Sequence, residues 1–253
     1  MTEHVQIQVE NGVQIIRMNR PDKKNALTLA MYGAMADALE QGKTDPAVNV
    51  QVILGSGGAF SSGNDLNDFL SVRGLAGTPL ERFLLALAAT EKPLLAGVQG
   101  FAVGIGSTML LHCDIVHAAT DARFQFPFVN LGLIPEAGSS LLLPRLAGHQ
   151  AASELLLLGD AFDATRAREI GMVNTVTSPE DLEASILAVA AKLAAKPRAA
   201  IRMTKALLKS EPESLVARIE REARQFEERL TSAELREAIS AFMQKRAPDF
   251  SKC

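Results

Sequence analysis

The chain opens with a regular alternation of apolar and polar residues. Residues 5–9 alternate, the dipeptide Asn11-Gly12 follows, and an apolar stretch resumes over 13–18. Alternation is typical of a half-buried strand, and Asn-Gly supplies the two positive-φ positions of a tight two-residue turn. The pattern predicts an N-terminal β-hairpin.

Helical and strand-like patterns then alternate along the first half of the chain. Thr28 can cap a helix that carries Met31, Met35 and Leu39 at helical spacing. Further strands are predicted at 48–54, 94–98 and 114–118, and further helices at 80–89 and 107–111. This succession favours an α/β fold built from ββα or βα units.

The second half has a different character. From Gly138 onward the sequence is almost entirely helix-forming. Ser178-Pro179 predicts one helix start, and Thr231 with Glu234 has the spacing of a capping box before the last helix. We therefore expect an α/β core over 1–195 and a helical extension over 196–253, and such extensions often pack on neighbouring subunits.

Composition excludes several classes of partner. The 253 residues carry a formal net charge of -3, with one Tyr and no Trp, which is a poor basis for binding nucleic acid. The two cysteines indicate a reducing compartment, so we expect a cytoplasmic protein. No apolar stretch reaches the ~18 residues of a membrane span, and we expect no membrane partner.

Two glycine-containing turns, at 55–65 and 100–108, each follow an apolar strand. A turn that opens a helix presents unpaired N–H groups, which suit an oxyanion or a phosphate. Neither turn has the G-x-G-x-x-G spacing of a dinucleotide site, because Phe60 and Met109 stand where the third glycine belongs. The alternative is that these glycines only permit tight connections.

The chain resembles the crotonase superfamily over essentially its whole length. The motifs that carry the resemblance are Asn19-Arg20-Pro21, Asn25-Ala26-Leu27, Ala59 to Leu66, Lys92-Pro93, Gly100 to Gly104 and Cys113-Asp114-Ile115. The resemblance implies a ββα spiral with a helical tail. It also implies that the backbone N–H groups of Asn64 and Ile105 form an oxyanion hole for a thioester carbonyl.

One carboxylate separates the possible reactions within that superfamily. The positions that match the two hydratase glutamates are Thr108 and Phe128, neither of which can act as a carboxylate base. The segment 132–140 instead resembles the part of peroxisomal-type 3,2-enoyl-CoA isomerases that supplies the catalytic glutamate, here Glu136. Its apolar neighbours should raise its pKa. The alternative is that Glu136 is a first-turn acid of the helix after Pro135.

Coenzyme A is expected as part of the substrate, and no separate cofactor and no metal are expected. The four histidines lack metal-ligand spacing. By resemblance, the residues predicted to contact substrate or coenzyme A are Lys23, Lys24, Ala26, Ser62, Gly63, Asp65, Leu66, Gly104, Phe242 and Lys245. Apolar residues Phe69, Leu70 and Phe83 are candidates for an acyl tunnel, although such residues usually belong to a core.

The favoured function is isomerisation of 3-enoyl-CoA to trans-2-enoyl-CoA by a homotrimer or a dimer of trimers. An enoyl-CoA hydratase that uses Glu136 alone is the first alternative. The second is a non-catalytic acyl-CoA-binding module of the same fold.

Overall fold

A computed structural model describes residues 2–71 and 74–253, with the backbone alone for 69–71. The strands are β1 (Val5–Glu10), β2 (Val13–Met18), β3 (Val50–Gly55), β4 (Leu94–Val98), β5 (Phe101–Val103), β6 (Ile115–Ala119), β7 (Arg123–Gln125), β8 (Phe162–Asp163) and β9 (Thr175–Thr177). The helices are α1 (Leu29–Thr44), α2 (Leu66–Ser71), α3 (Pro79–Ala88), α4 (Ile105–Thr108), α5 (Ser139–Ala147), α6 (His149–Leu158), α7 (Ala164–Glu169), α8 (Leu182–Ala194), α9 (Arg198–Leu208), α10 (Leu215–Leu230) and α11 (Ala233–Met243).

The strands form two sheets. The larger has the order β1-β2-β3-β4-β6-β9, with β1 antiparallel to β2 and the remaining neighbours parallel. Strands β5, β7 and β8 form the smaller sheet. Asn11 and Gly12 have φ of 50° and 80°, so the predicted hairpin is confirmed. The α/β class is confirmed as well.

Both faces of the larger sheet are covered at its central strands β3 and β4. Val50, Val52 and Leu54 of β3 pack on one side against Ile186 and Ala190 of α8. The opposite face belongs to the main core with α1 and α3. A strand that is buried on both faces is an unbroken apolar run, which explains why β3 and β4 are so apolar in sequence.

Two predicted helix starts are wrong. Ser178 does not cap α8; its hydroxyl accepts the N–H of Asp181 at 3.2 Å and closes a turn before the helix. The last helix is capped by Ser232, one residue later than predicted. Glu234 makes no capping box, since its carboxylate accepts the N–H of Ala199 at 3.0 Å. Glu234 therefore makes a contact with α9 in place of the predicted capping box with Thr231.

The strands that the sequence pattern missed are short. Strands β5, β7, β8 and β9 contain two or three residues each. An alternation cannot be recognised over so few positions. Their pairing depends on segments far away in sequence.

The helical extension contacts the core through a buried cation. Lys205 of α9 donates from Nζ to the carbonyl of Lys92 at 2.6 Å and to Asp114 Oδ2 at 2.7 Å. Helices α10 and α11 expose several large apolar residues, namely Leu215, Val216, Ile219, Phe226 and Ile239. The division at 195 and 196 and the trimer remain predictions. Within the described residues, no helix is long and apolar enough to cross a membrane.

Asn25 joins two loops at one end of the sheet. Its buried side chain donates to the carbonyls of Ser56 and Ala59 at 2.9 and 2.7 Å. Its Oδ1 accepts the N–H of Arg20 at 2.8 Å. Its backbone is left-handed, with φ of 55°. Short polar residues tolerate this conformation, so one residue satisfies both requirements.

We expect Asn25→Ala to lower the free energy of unfolding by about 3 kcal/mol, because it strands buried polar groups. Asn11→Ala is the matched control: Asn11 has a similar φ of 50° but is exposed and makes only a 3.5 Å contact to Glu10. Urea unfolding of the two variants separates lost hydrogen bonds from backbone strain. Equal destabilisation would assign the whole effect to strain.

Candidate active site

Three loops meet at the carboxyl edge of the larger sheet. Strands β2, β3 and β4 are parallel neighbours, so the loops 19–28, 56–65 and 99–104 leave the same edge. Ligands of parallel sheets bind at this edge. Leu27 donates its N–H to the carbonyl of Gly63 at 2.8 Å, and Val103 donates its N–H to the carbonyl of Ser61 at 3.0 Å. The loops are thus joined by main-chain hydrogen bonds.

The two glycine-containing turns can touch only because Gly106 has no side chain. A Cβ at Gly106 would lie 2.8 Å from the carbonyl oxygen of Ser61. Gly104, just before α4, has φ of 57° and ψ of -119°, a conformation that side chains rarely allow. The glycines therefore bring the two turns into direct contact, as well as permitting tight connections.

The two predicted oxyanion-hole N–H groups lie on these adjoining turns. Asp65 donates its N–H to Leu27, and Leu27 in turn donates to Gly63, so Asn64 is held between two main-chain bonds. Among the described residues, neither the N–H of Asn64 nor that of Ile105 donates to a protein acceptor. Both remain available to a bound group.

The helix that follows the first turn is already capped. The Asp65 carboxylate accepts the N–H groups of Asn67 and Asp68 at 3.0 and 3.4 Å. It also forms an ion pair with Arg20 at 2.7 Å, and this pairing lowers the pKa of Asp65. The side chain of Asp65 is therefore engaged in holding the loop and the helix start.

A cavity of about 620 Å³ opens beside these turns. Its wall includes the apolar residues Leu27, Leu29, Leu75, Leu80, Leu84 and Phe128. Tyr32, Asn64 and Glu136 also line it. Such a cavity has the size and character of a small-molecule site, with few polar groups among many apolar ones.

One carboxylate oxygen of Glu136 accepts a hydrogen bond, and the other has no hydrogen-bond partner among the described residues. Its Oε1 accepts a hydrogen bond from the Thr108 hydroxyl at 2.5 Å. Its Oε2 is buried and has no partner among the described residues. Burial raises the pKa of Glu136 to about 7, and the hydrogen bond from Thr108 opposes that rise. The direction agrees with the sequence prediction.

The turn that carries Glu136 is held at two carbonyls. Ser139 donates to the carbonyl of Glu136 from its N–H at 3.0 Å and from its hydroxyl at 2.7 Å. His112 Nε2 lies 2.8 Å from the carbonyl of Ala137, a residue with φ of 54°. Helix α5 begins only at Ser139. The alternative that Glu136 is a first-turn acid of a helix is therefore wrong.

Most of the predicted coenzyme A residues lie together beside the cavity. Ser62 donates its N–H to the carbonyl of Lys24 at 2.9 Å and its hydroxyl to the carbonyl of Lys23 at 3.2 Å. Lys24 Nζ lies 4.4 Å from the ring centroid of Phe101. Ala26, Gly63 and Gly104 belong to the same loops, and Leu66 is the first residue of α2. Their contact with coenzyme A stays a prediction.

Two predicted residues, Phe242 and Lys245, do not line the cavity. Phe242 is exposed at the end of α11, and Lys245 follows in a turn with φ of 53°.

The structure describes the side chain of only one of the three candidate tunnel residues, Phe83. Phe83 belongs to the main core and does not line the cavity. The side chains of Phe69 and Leu70 lie outside the described residues.

Sequence reasoning missed the groups that hold the reactive residues in place. From the sequence, Thr108 is interpreted only as the replacement of an acid and His112 only as one of four histidines without metal-ligand spacing. Tyr32 donates its hydroxyl to Asn64 Oδ1 at 2.5 Å. Tyr32 is not among the predicted site residues. No signal in a single sequence pairs these residues with partners 25 to 32 positions away.

The sequence profile of the enoyl-CoA hydratase/isomerase family matches residues 8–252. The chain belongs to the enoyl-CoA hydratase/isomerase family. The predicted crotonase resemblance is thereby confirmed. As an enoyl-CoA hydratase/isomerase, the protein acts on acyl-CoA thioesters.

Members of this family with different reactions are similar to the chain. The 1,2-epoxyphenylacetyl-CoA isomerase of Escherichia coli K12 is 36% identical over 260 residues, with 99% of each chain covered. The 2,3-dehydroadipyl-CoA hydratase of the same organism is 36% identical, with 95% of this chain and 96% of that protein covered. Enoyl-CoA delta isomerase 2 of Rattus norvegicus is 36% identical, with 94% of this chain and 62% of that protein covered.

Solved structures of the enoyl-CoA hydratase/isomerase family confirm the predicted spiral fold. A chain from Magnetospirillum magneticum AMB-1, named for enoyl-CoA hydratase/carnithine racemase, superposes with a TM-score of 0.97 at 52% identity, with 99% of this chain and 100% of that chain covered. A chain from Streptomyces coelicolor A3(2), named for enoyl-CoA hydratase, superposes with a TM-score of 0.91 at 30% identity, with coverage of 99% and 95%.

We expect Glu136→Gln to stabilise this enoyl-CoA hydratase/isomerase at alkaline pH. The pKa of Glu136 is about 7 in the folded state against an ordinary 4.5, so the folded state binds more protons between these values. Stability therefore falls as pH rises through that window. The amide can still accept the Thr108 hydrogen bond without carrying charge.

Urea unfolding checks this expectation. Above about pH 7 the variant should be about 2 to 3 kcal/mol more stable than the wild type, and below about pH 4.5 the two should converge. A difference independent of pH would contradict the assignment of the raised pKa to Glu136.

Proposed function

We propose that the protein isomerises 3-enoyl-CoA to trans-2-enoyl-CoA. The observation that carries this proposal is the half-buried carboxylate of Glu136 in the wall of an apolar cavity, where its Oε2 has no hydrogen-bond partner among the described residues. Isomerisation needs one group that removes a proton at one carbon and returns it at another. Hydration by two acids is disfavoured because Phe128 lines the cavity where the second acid would be required.

The other acids described in the cavity wall are engaged. Asp65 is paired with Arg20 at 2.7 Å, and Asp68 Oδ2 accepts the N–H of Leu29 at 2.8 Å. Both carboxylates hold loop and helix ends in place. Among the described cavity residues, Glu136 is therefore the carboxylate best suited to accept a proton.

The reaction begins with the thioester carbonyl bound by the N–H groups of Asn64 and Ile105. Glu136 Oε2 removes a proton from C2, and the C–H electron pair moves into the thioester carbonyl to form a dienolate. The negative charge on the oxygen is stabilised by the two N–H donors; loss of one such donor typically costs about 2.7 to 4 kcal/mol. The same carboxyl then returns the proton to C4.

The pKa of Glu136 suits both proton transfers, the removal of a proton from C2 and its return to C4. A group with a pKa near 7 can accept and return a proton at neutral pH. Thr108 keeps Oε1 occupied, so Oε2, which has no partner among the described residues, is the oxygen left to accept the proton. The position where a hydratase carries an acid thus supports the base instead.

The relatives favour more than one outcome. The similarity to enoyl-CoA delta isomerase 2 supports isomerisation of an enoyl-CoA, and the similarity to 1,2-epoxyphenylacetyl-CoA isomerase supports isomerisation of an acyl-CoA thioester. The similarity to 2,3-dehydroadipyl-CoA hydratase supports the hydratase alternative, in which Glu136 alone would activate water. The non-catalytic binding module remains the third hypothesis.

We expect Glu136→Gln to lower isomerisation by at least about 10²-fold, because the amide cannot accept the proton. The assay follows formation of the conjugated 2-enoyl thioester from trans-3-hexenoyl-CoA. The matched control is Glu154→Gln, which removes an exposed acid of α6 that pairs with Arg166. It should retain full activity.

Hydration of crotonyl-CoA is measured in parallel with the same proteins. Isomerisation that survives Glu136→Gln would remove Glu136 from the mechanism. Hydration without isomerisation would establish the hydratase, and tight acyl-CoA binding without either reaction would establish the binding module.

Thr108→Val tests the source of the proton affinity. Loss of the hydroxyl removes a hydrogen bond that favours the charged carboxylate, so the pKa of Glu136 should rise above about 7. The acidic limb of the pH profile of kcat/KM should therefore move to higher pH. Thr108→Ser keeps a hydroxyl and should leave the limb near its wild-type position; an unmoved limb in Thr108→Val would contradict the role of Thr108.

A further inference from the structure

Tyr32 belongs to α1, packs against α3 and lines the cavity. It is the sole tyrosine of the chain and lies in the first turns of α1, which Thr28 caps through its side chain. Its side chain is buried, and its ring lies 5.5 Å from that of Phe83 in α3, measured between centroids. The hydroxyl is therefore held at one point of the cavity wall.

The hydroxyl of Tyr32 has one described partner, Asn64. It donates to Oδ1 of Asn64 at 2.5 Å. Burial and the charge of Glu136 both raise the pKa of Tyr32 well above its ordinary value, so the phenol stays protonated and remains a donor. The side chain of Asn64 is thus oriented by a donor that does not titrate near neutral pH.

Orientation of the Asn64 amide has two consequences. The nitrogen of a planar amide points away from its oxygen, so Nδ2 is directed away from Tyr32, and it has no acceptor among the described residues. The backbone on either side of Asn64 is tied to Leu27. The main chain is therefore held from one side and the side chain from the other, which limits rotation of the peptide that carries the Asn64 N–H.

We propose that Tyr32 is a positioning residue of the thioester site: its hydroxyl orients the Asn64 amide, which keeps the Asn64 N–H on the substrate carbonyl. The proposal rests on the isomerase function for its assay. It assigns Tyr32 no contact with the reacting atoms. Its effect passes through Asn64.

A double-mutant cycle in the full-length protein tests this dependence. The proteins are the wild type, Tyr32→Phe, Asn64→Ala and the double variant, assayed with trans-3-hexenoyl-CoA. Tyr32→Phe should lower kcat about 10-fold to 100-fold, as expected for a misplaced reactive group, while KM changes less than about twofold. In the double variant kcat should be no lower than in Asn64→Ala, because Tyr32 has nothing left to position.

Thr90→Val is the matched control for loss of a buried hydroxyl. Thr90 is buried at the end of α3, and its hydroxyl donates to the carbonyl of Ala86 at 2.9 Å. Both Thr90→Val and Tyr32→Phe should lower the unfolding midpoint, because each removes a buried hydrogen bond. Thr90→Val should leave kcat unchanged. Reduced kcat in this control, to the extent seen in Tyr32→Phe, would assign the effect to general destabilisation and overturn the proposal.

The remaining outcomes are distinct. Wild-type kcat in Tyr32→Phe, or losses that multiply in the double variant, would overturn the positioning role. If the wild type hydrates crotonyl-CoA but does not isomerise, the proposed function fails, and the same cycle is measured in hydration with the same expectation for Tyr32. A wild type without either activity would overturn both.

Discussion

The site depends on main-chain hydrogen bonds between the loops at the carboxyl ends of β2, β3 and β4. Parallel pairing brings the three strand ends to one edge, and the loops then pair with each other through Leu27, Gly63, Ser61 and Val103. Asn25 adds three side-chain bonds at the same place. These bonds bring N–H donors from two turns together without any reactive side chain.

The carboxylate of Glu136, the proposed proton acceptor, lowers the stability of the folded protein when it is charged. A carboxylate is costly in a cavity whose wall is mostly apolar, and this cost appears as the raised pKa of Glu136. The surrounding structure offsets the cost with the Thr108 hydrogen bond and with a turn fixed by Ser139 and His112. Strain and desolvation are concentrated where the chemistry is proposed, as is common in enzymes.

The same scaffold can therefore support different reactions through few substitutions. By resemblance, Thr108 and Phe128 occupy positions where hydratases carry acids, while the chain superposes with a TM-score of 0.91 on a chain named for enoyl-CoA hydratase. The relatives reflect this, since an isomerase and a hydratase are each 36% identical to the chain. The reaction depends on which side chains face the cavity, and the scaffold alone leaves it open.

The sequence alone predicted the longer local elements and the candidate site residues. Alternation and Asn11-Gly12 predicted the hairpin, glycine turns predicted N–H donors, and the apolar neighbours of Glu136 predicted its raised pKa, because each depends on residues close in the chain. Tertiary structure decided the rest. The predicted caps at Ser178 and Thr231 are wrong because the chain forms a turn at Ser178 and because Ser232 caps the last helix instead. The partners of Glu136 and Asn64 were not predicted, because their contacts with Thr108 and Tyr32 join residues far apart in the sequence and leave no local signal.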